Sequence, residues 1–187
     1  QLLASARRPV IVAGGGAINA DAFAELTKLA EQLNAPVITT PEGKGAISDG
    51  HSLSLGAAYY FFGPGQWVLP QADVVLAVGT RLYVVVPSVL SFTRDQKIIQ
   101  IDVDEEEIGR NAAVHLGITS DARVALKALL EELPERRKST WQAKEMAEIK
   151  KAAIDEIENA APLQVSILRT IRRELKDDGI LIPGHTN

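Results

Sequence analysis

Residues 10–40 read VIVAGGGAINADAFAELTKLAEQLNAPVITT, and this stretch constrains the fold more than any other part of the chain. Residues 10–13 are apolar without alternation, as a strand covered on both faces requires. Gly14, Gly15 and Gly16 then turn the chain. Phe23, Leu26, Leu29, Ala30 and Leu33 follow at the spacing of one helix face. Asn19 is expected to cap that helix, with Asp21 near the positive end of its dipole. Asn34 and Pro36 end it, and residues 36–40 (PVITT) read as a second strand. Two buried strands joined through a helix make a parallel unit.

The alternation continues. Residues 73–78, 97–102 and 115–119 read as further strands. Residues 66–72 suit a short helix interrupted at Pro70, and residues 105–110 one helical turn. Ser120 or Asp121 caps a helix with Leu126, Leu129, Leu130 and Leu133 on one face. The expected class is α/β, a Rossmann-like parallel sheet with helices on both faces. A hydrophobic share of 46% with only 5% aromatics suits such a core. Residues 41–65 (PEGKGAISDGHSLSLGAAYYFFGPG) lack a regular pattern, and a connection that long is expected to have a task. Pro134 and the basic residues 136–138 close this unit. Residues 139–160 read as a solvated helix, with neighbours such as Glu148 and Lys151. Pro162 opens another helix carrying Val165, Leu168, Ile171 and Leu175, and residues 177–179 turn into an apolar run at 180–182. The division expected is a central domain over 1–133, a helical linker over 134–162, and over 163–187 the truncated start of a further domain. Gln1 is no natural start and Met146 is the only methionine, so both ends are expected to be cut from a longer protein.

A net charge of −4 and a pI near 5.4 leave no basic footprint for nucleic acid or an anionic membrane. No apolar run approaches the roughly 20 residues of a membrane span. The absence of cysteine removes disulfides and thiolate metal sites and fits a reducing cytoplasm. His51, His115 and His185 lack metal-ligand spacing, and no Ser/His/Asp set or close carboxylate pair stands out, so no catalytic or metal-binding residue is nominated. Lys44, His51 and the aromatic run 59–62 are expected at the surface, in the core or at a subunit interface.

In a parallel sheet with right-handed crossovers the strand ends converge on one edge, where ligands bind. Gly14, Gly15, Gly16, Thr40, Gly79, Arg81, Asp102 and Asp121 are placed there. The glycines allow phosphate to approach backbone N–H groups, or simply make a tight turn. The dinucleotide fingerprint GxGxxG is incomplete, because Asn19 occupies its last place. The ribose-binding carboxylate of NAD proteins is also missing: Thr39 and Thr40 end the second strand and Glu42 comes late. Arg81 suits a diphosphate clamp or a salt bridge to a loop carboxylate. Asp102 suits hydrogen bonds to a ribose or an adenine amine, or a cap on residues 105–110.

RRPVIVAGGGAINADAFAELTKLAEQLNAPVITTPEGKGAISDGHSLSLG, QADVVLAVGTRL, KIIQIDVDEEEIGRN and ITSDARVALKALL together resemble the middle domain of thiamine-diphosphate-dependent enzymes of the acetolactate synthase, pyruvate oxidase and 2-oxo-acid decarboxylase family. The likeness covers about residues 7–130, and DDGILIPGHTN is similar to the opening strand of the diphosphate-binding domain that follows in that family. It implies about six parallel strands in a DHS-like nucleotide-binding topology. It also implies a full-length enzyme that uses thiamine diphosphate and Mg2+ to make or break a C–C bond beside a carbonyl. The substrate would be a 2-oxo acid or an acyl-CoA, and the assembly a homodimer or homotetramer. The activating glutamate and the magnesium motif belong to the flanking domains, so the fragment is expected to be inactive. The nucleotide-contacting positions carried over are Gly14, Gly15, Gly16, Thr40, Gly79, Arg81, Asp102 and Asp121, for FAD, ADP or nothing. FAD-binding relatives carry a GMHG-like loop and an acidic, arginine-bearing run after GxR. Those places read GAAYYFFG and LYVVV here. The rival readings are a non-catalytic oligomerisation scaffold with an empty pocket and a free-standing nucleotide-dependent oxidoreductase.

Overall fold

The computed structural model describes residues 1–58, 63–83, 92–134, 139–176 and 178–181. Six strands are present: β1 (Pro9–Ala13), β2 (Val37–Thr39), β3 (Ser54–Ala57), β4 (Val74–Val78), β5 (Lys97–Asp102) and β6 (Leu116–Thr119). All pair in parallel, in the order β3-β2-β1-β4-β5-β6. Every residue of β1, β2 and β4 is buried, as their unbroken apolar runs anticipate. The order reverses between β1 and β4, which pair from Pro9↔Val74 to Ala13↔Val78. This is the Rossmann order, and the reversal opens the place where such sheets receive ligands.

The helices in chain order are α1 (Leu2–Ser5), α2 (Gly15–Asn19), α3 (Phe23–Leu33), α4 (Gly65–Val68), α5 (Ala122–Glu132), α6 (Ala143–Ala160) and α7 (Pro162–Glu174). Leu26, Leu29, Ala30 and Leu33 bury one face of α3, while Phe23 at its start is 40% exposed. Asn34 stops α3 in the left-handed conformation, φ 45°. Asn19 does not cap α3. The chain coils directly off the glycines into α2, whose last residue is Asn19, and then bends at Asp21 (φ 49°) before Ala22 precedes α3. Asp121 caps α5, its Oδ1 accepting from Val124 N at 3.1 Å.

The connection over 41–65 is not irregular throughout. It holds a short 3₁₀ turn, Pro41–Gly43, and the edge strand β3. Leu53 O accepts from Val37 N, and Ala58 N donates to Thr39 O. The aromatic run 59–62 lies outside the described residues. So do residues 136–138 and 182, His185, and the VVV that follows Tyr83.

The stretch after α5 is stapled to the amino edge of the sheet. Thr140 N donates to Arg7 O at 2.8 Å, Ser139 Oγ to Asn34 O at 2.7 Å, and Trp141 Nε1 to Pro9 O at 2.9 Å. The Arg8 guanidinium lies 3.7 Å over the Trp141 ring and pairs with Glu145. Met146, Ile149 and Ala153 are buried where α6 runs beside β3, so residues 139–160 cover the sheet rather than only bridging solvent. α7 buries no residue. Ile180 and Leu181 follow it in irregular, exposed backbone. No helix among the described residues is long and apolar enough to cross a membrane.

Candidate functional site

The glycines after β1 and the glycine after β4 form one packed junction. Gly14 N donates to Val78 O and Gly16 N to Gly79 O, each at 2.9 Å. A Cβ on Gly16 would lie 2.6 Å from Gly79 Cα, and one on Gly14 would lie 2.3 Å from Gly79 O. Gly79 itself sits at φ 56°. The absent side chains let two backbone turns touch across the switch point, and the contact engages two of the three glycine N–H groups.

Thr40 stands beside this junction at the end of β2. Its N–H donates to Ala13 O at 2.9 Å and its Oγ1 accepts from Gly43 N at 3.2 Å, capping the 3₁₀ turn. That turn brings Glu42 over the glycine loop, where a Cβ on Gly15 would meet Glu42 Cβ at 3.2 Å. The ribose reading gives Glu42 no role, yet the fold sets this exposed residue against Gly15 at the carboxyl edge of the sheet.

Beyond β4, Thr80 is buried and its Oγ1 accepts from Leu82 N at 3.2 Å. Arg81 is exposed, and its guanidinium has no partner among the described residues. Asp102 is nearly buried at the end of β5. Its Oδ1 accepts from Asp104 N at 3.1 Å, while Asp104, not Asp102, caps the turn Glu105–Glu107. Ser120 N donates to Asp102 O at 2.9 Å, which sets the Asp121 cap of α5 next to it. The eight positions chosen from sequence therefore all border one edge of the sheet.

Gln100 was not among them. Inside β5 it is 1% exposed. Its Nε2 donates to Thr80 O and Glu107 O, both at 3.1 Å, and its Oε1 accepts from Gly109 N at 2.9 Å. It ties the loop bearing Arg81 to the loop after Asp102. The available signal was a lone amide in an otherwise apolar strand, KIIQID, which must satisfy its hydrogen bonds locally.

Among the nearby cations, Lys44 pairs with Asp49 at 2.5 Å, Arg110 with Glu107 at 2.8 Å, and Arg123 with Glu25 at 3.1 Å. A hydrogen bond from its own backbone and then the Arg123 guanidinium hold the Glu25 carboxyl below the usual glutamate range. His51 serves the loop: its Nδ1 accepts from Leu53 N, and its Nε2 lies 3.2 Å from Glu31 Oε1. The described residues contain no group of three histidines, aspartates or glutamates that could hold a metal ion.

The family whose sequence pattern matches residues 1–129 is described as "Thiamine pyrophosphate enzyme, central domain", and the chain belongs to that family. Over 135 residues it is 42% identical to the "Probable acetolactate synthase large subunit" of Methanococcus aeolicus, covering 71% of this chain and 22% of that protein. Over 145 residues it is 41% identical to the glyoxylate carboligase of Escherichia coli O157:H7, covering 74% and 24% respectively. A solved structure described as "X-ray structure of a putative thiamin diphosphate-dependent enzyme isolated from Mycobacterium smegmatis" superposes with a TM-score of 0.62 at 23% identity. That match covers 73% of this chain and 27% of that one, and it bears on the fold. The chain spans about a quarter of the length of the curated relatives it matches.

Proposed function

We propose that this chain is the middle domain of a thiamine-diphosphate- and Mg2+-dependent enzyme that makes or breaks a C–C bond beside a carbonyl. The substrate class is a 2-oxo acid or an acyl-CoA. The observation that carries the reading is the match of residues 1–129 to the central-domain family. Thiamine diphosphate supplies the nucleophilic carbon for such chemistry. The residues here supply a rigid sheet, and α7 supplies the first helix of a diphosphate-binding domain. The 187 residues alone turn nothing over. The longer enzyme works in the cytoplasm as a homodimer or homotetramer.

The test is turnover of the longer protein on a panel of 2-oxo acids and acyl-CoAs, with and without thiamine diphosphate and Mg2+. Turnover that vanishes without either supports the reading, and its absence under every condition overturns it. A second reading, an oligomerisation scaffold with an empty pocket, draws on the engaged N–H groups of Gly14 and Gly16. Assembly without thiamine-dependent turnover would favour it.

A further inference from the structure

We infer that the crevice at the carboxyl edge of this sheet shuts out the diphosphate of a nucleotide, and that Glu42 is the residue responsible. The inference rests on reading this edge as the place where the family holds FAD or ADP. A diphosphate needs free backbone donors, the positive end of a helix, or cations.

The residues present do not fit that group. Gly14 N and Gly16 N already donate to Val78 O and Gly79 O, and the closely packed turns leave no gap between them. Gly15 is the one glycine not locked to the β4 turn, and Glu42 lies against it. The helix that starts there, α2, has only five residues, so few peptide dipoles add up behind the turn.

The charge balance points the same way. Glu42, Asp102, Asp104, Glu105, Glu106 and Asp121 border the edge, and Arg81 is the cation there without a partner among the described residues. Lys44, Arg110 and Arg123 are held by carboxylates. Residues 59–62 (YYFF) and 84–91 (VVVPSVLS) contain no lysine or arginine, so neither brings a compensating charge. A dianionic group placed between Glu42 and this rim meets repulsion that one guanidinium does not offset.

The experiment titrates the full chain with ADP and with FAD by calorimetry, alongside Glu42→Lys and Glu42→Gln variants checked for native circular dichroism. The unmodified chain is expected to show no saturable binding at millimolar nucleotide. Glu42→Lys is expected to bind ADP at least about tenfold more tightly than that limit, with Glu42→Gln between them. Adding Arg81→Ala to Glu42→Lys should abolish the gain. Saturable binding of either nucleotide by the unmodified chain would overturn the exclusion while leaving the nucleotide reading of the edge intact. No gain in either Glu42 variant would overturn both the role of Glu42 and that reading. A gain that survives Arg81→Ala would place the ligand elsewhere and overturn the inference as well.

Discussion

At the scale of single residues, Gly79 combines a left-handed backbone (φ 56°) with a contact that a methyl group cannot share, 2.5 Å from Gly16 Cα. Gly79→Ala would add left-handed strain to backbone overlap, for an expected loss of about 2–4 kcal/mol in urea unfolding. Gln100 acts through hydrogen bonds instead. Gln100→Leu keeps the bulk but leaves Thr80 O, Glu107 O and Gly109 N without their partner. It is expected to cost about 2–3 kcal/mol and to speed amide exchange over residues 105–109. Glu25 sets a pH dependence. Its own backbone hydrogen bond and the Arg123 guanidinium hold its carboxyl below the usual glutamate range in the folded chain, so as pH falls the unfolded state takes up a proton before the folded state does. The stabilisation is complete above the unfolded value and fades as pH falls through the folded one. Denaturation from pH 6 to 3 should therefore show the stability difference between the parent chain and Glu25→Gln shrinking only in the acid range.

At the scale of elements, α6 and the segment before it act as a clamp across the sheet. Trp141 is 2% exposed, donates to Pro9 O and carries Arg8 stacked on its face. Trp141→Ala is expected to cost about 3–5 kcal/mol, measured by thermal and urea unfolding, and to free α6 from the edge strand. The long apolar runs β1, β4 and β5 and the stripe on α3 were legible because their burial follows from local composition. β3 was not: it is four residues of Ser, Leu, Gly and Ala that become a strand by pairing with β2. Asn19 misled for a related reason. Its side chain suits a cap, but three glycines let the chain coil before reaching it, and the start of α3 passed to Ala22. The face of α6 carrying Met146, Ile149 and Ala153 is at helical spacing, yet its charged neighbours made the helix read as solvated.

At the scale of the whole molecule, six parallel strands gather the ends of β1, β2, β4, β5 and β6 into one acidic edge. If the chain is the middle of a thiamine-dependent enzyme, Trp141→Ala in the longer protein should lower turnover together with stability, whereas Glu42→Gln should leave turnover unchanged. The amino-acid sequence by itself determined the α/β class, five of the six strands, the helices α3 and α5 and the list of residues at the edge, because apolar runs, caps and glycines act over a few neighbours. Only the tertiary structure decided that Gly14 and Gly16 face the β4 turn, that Glu42 covers Gly15, and that Gln100 joins two loops. Those contacts lie between segments that strand order brings together, and strand order is fixed by packing across the sheet rather than by any local pattern.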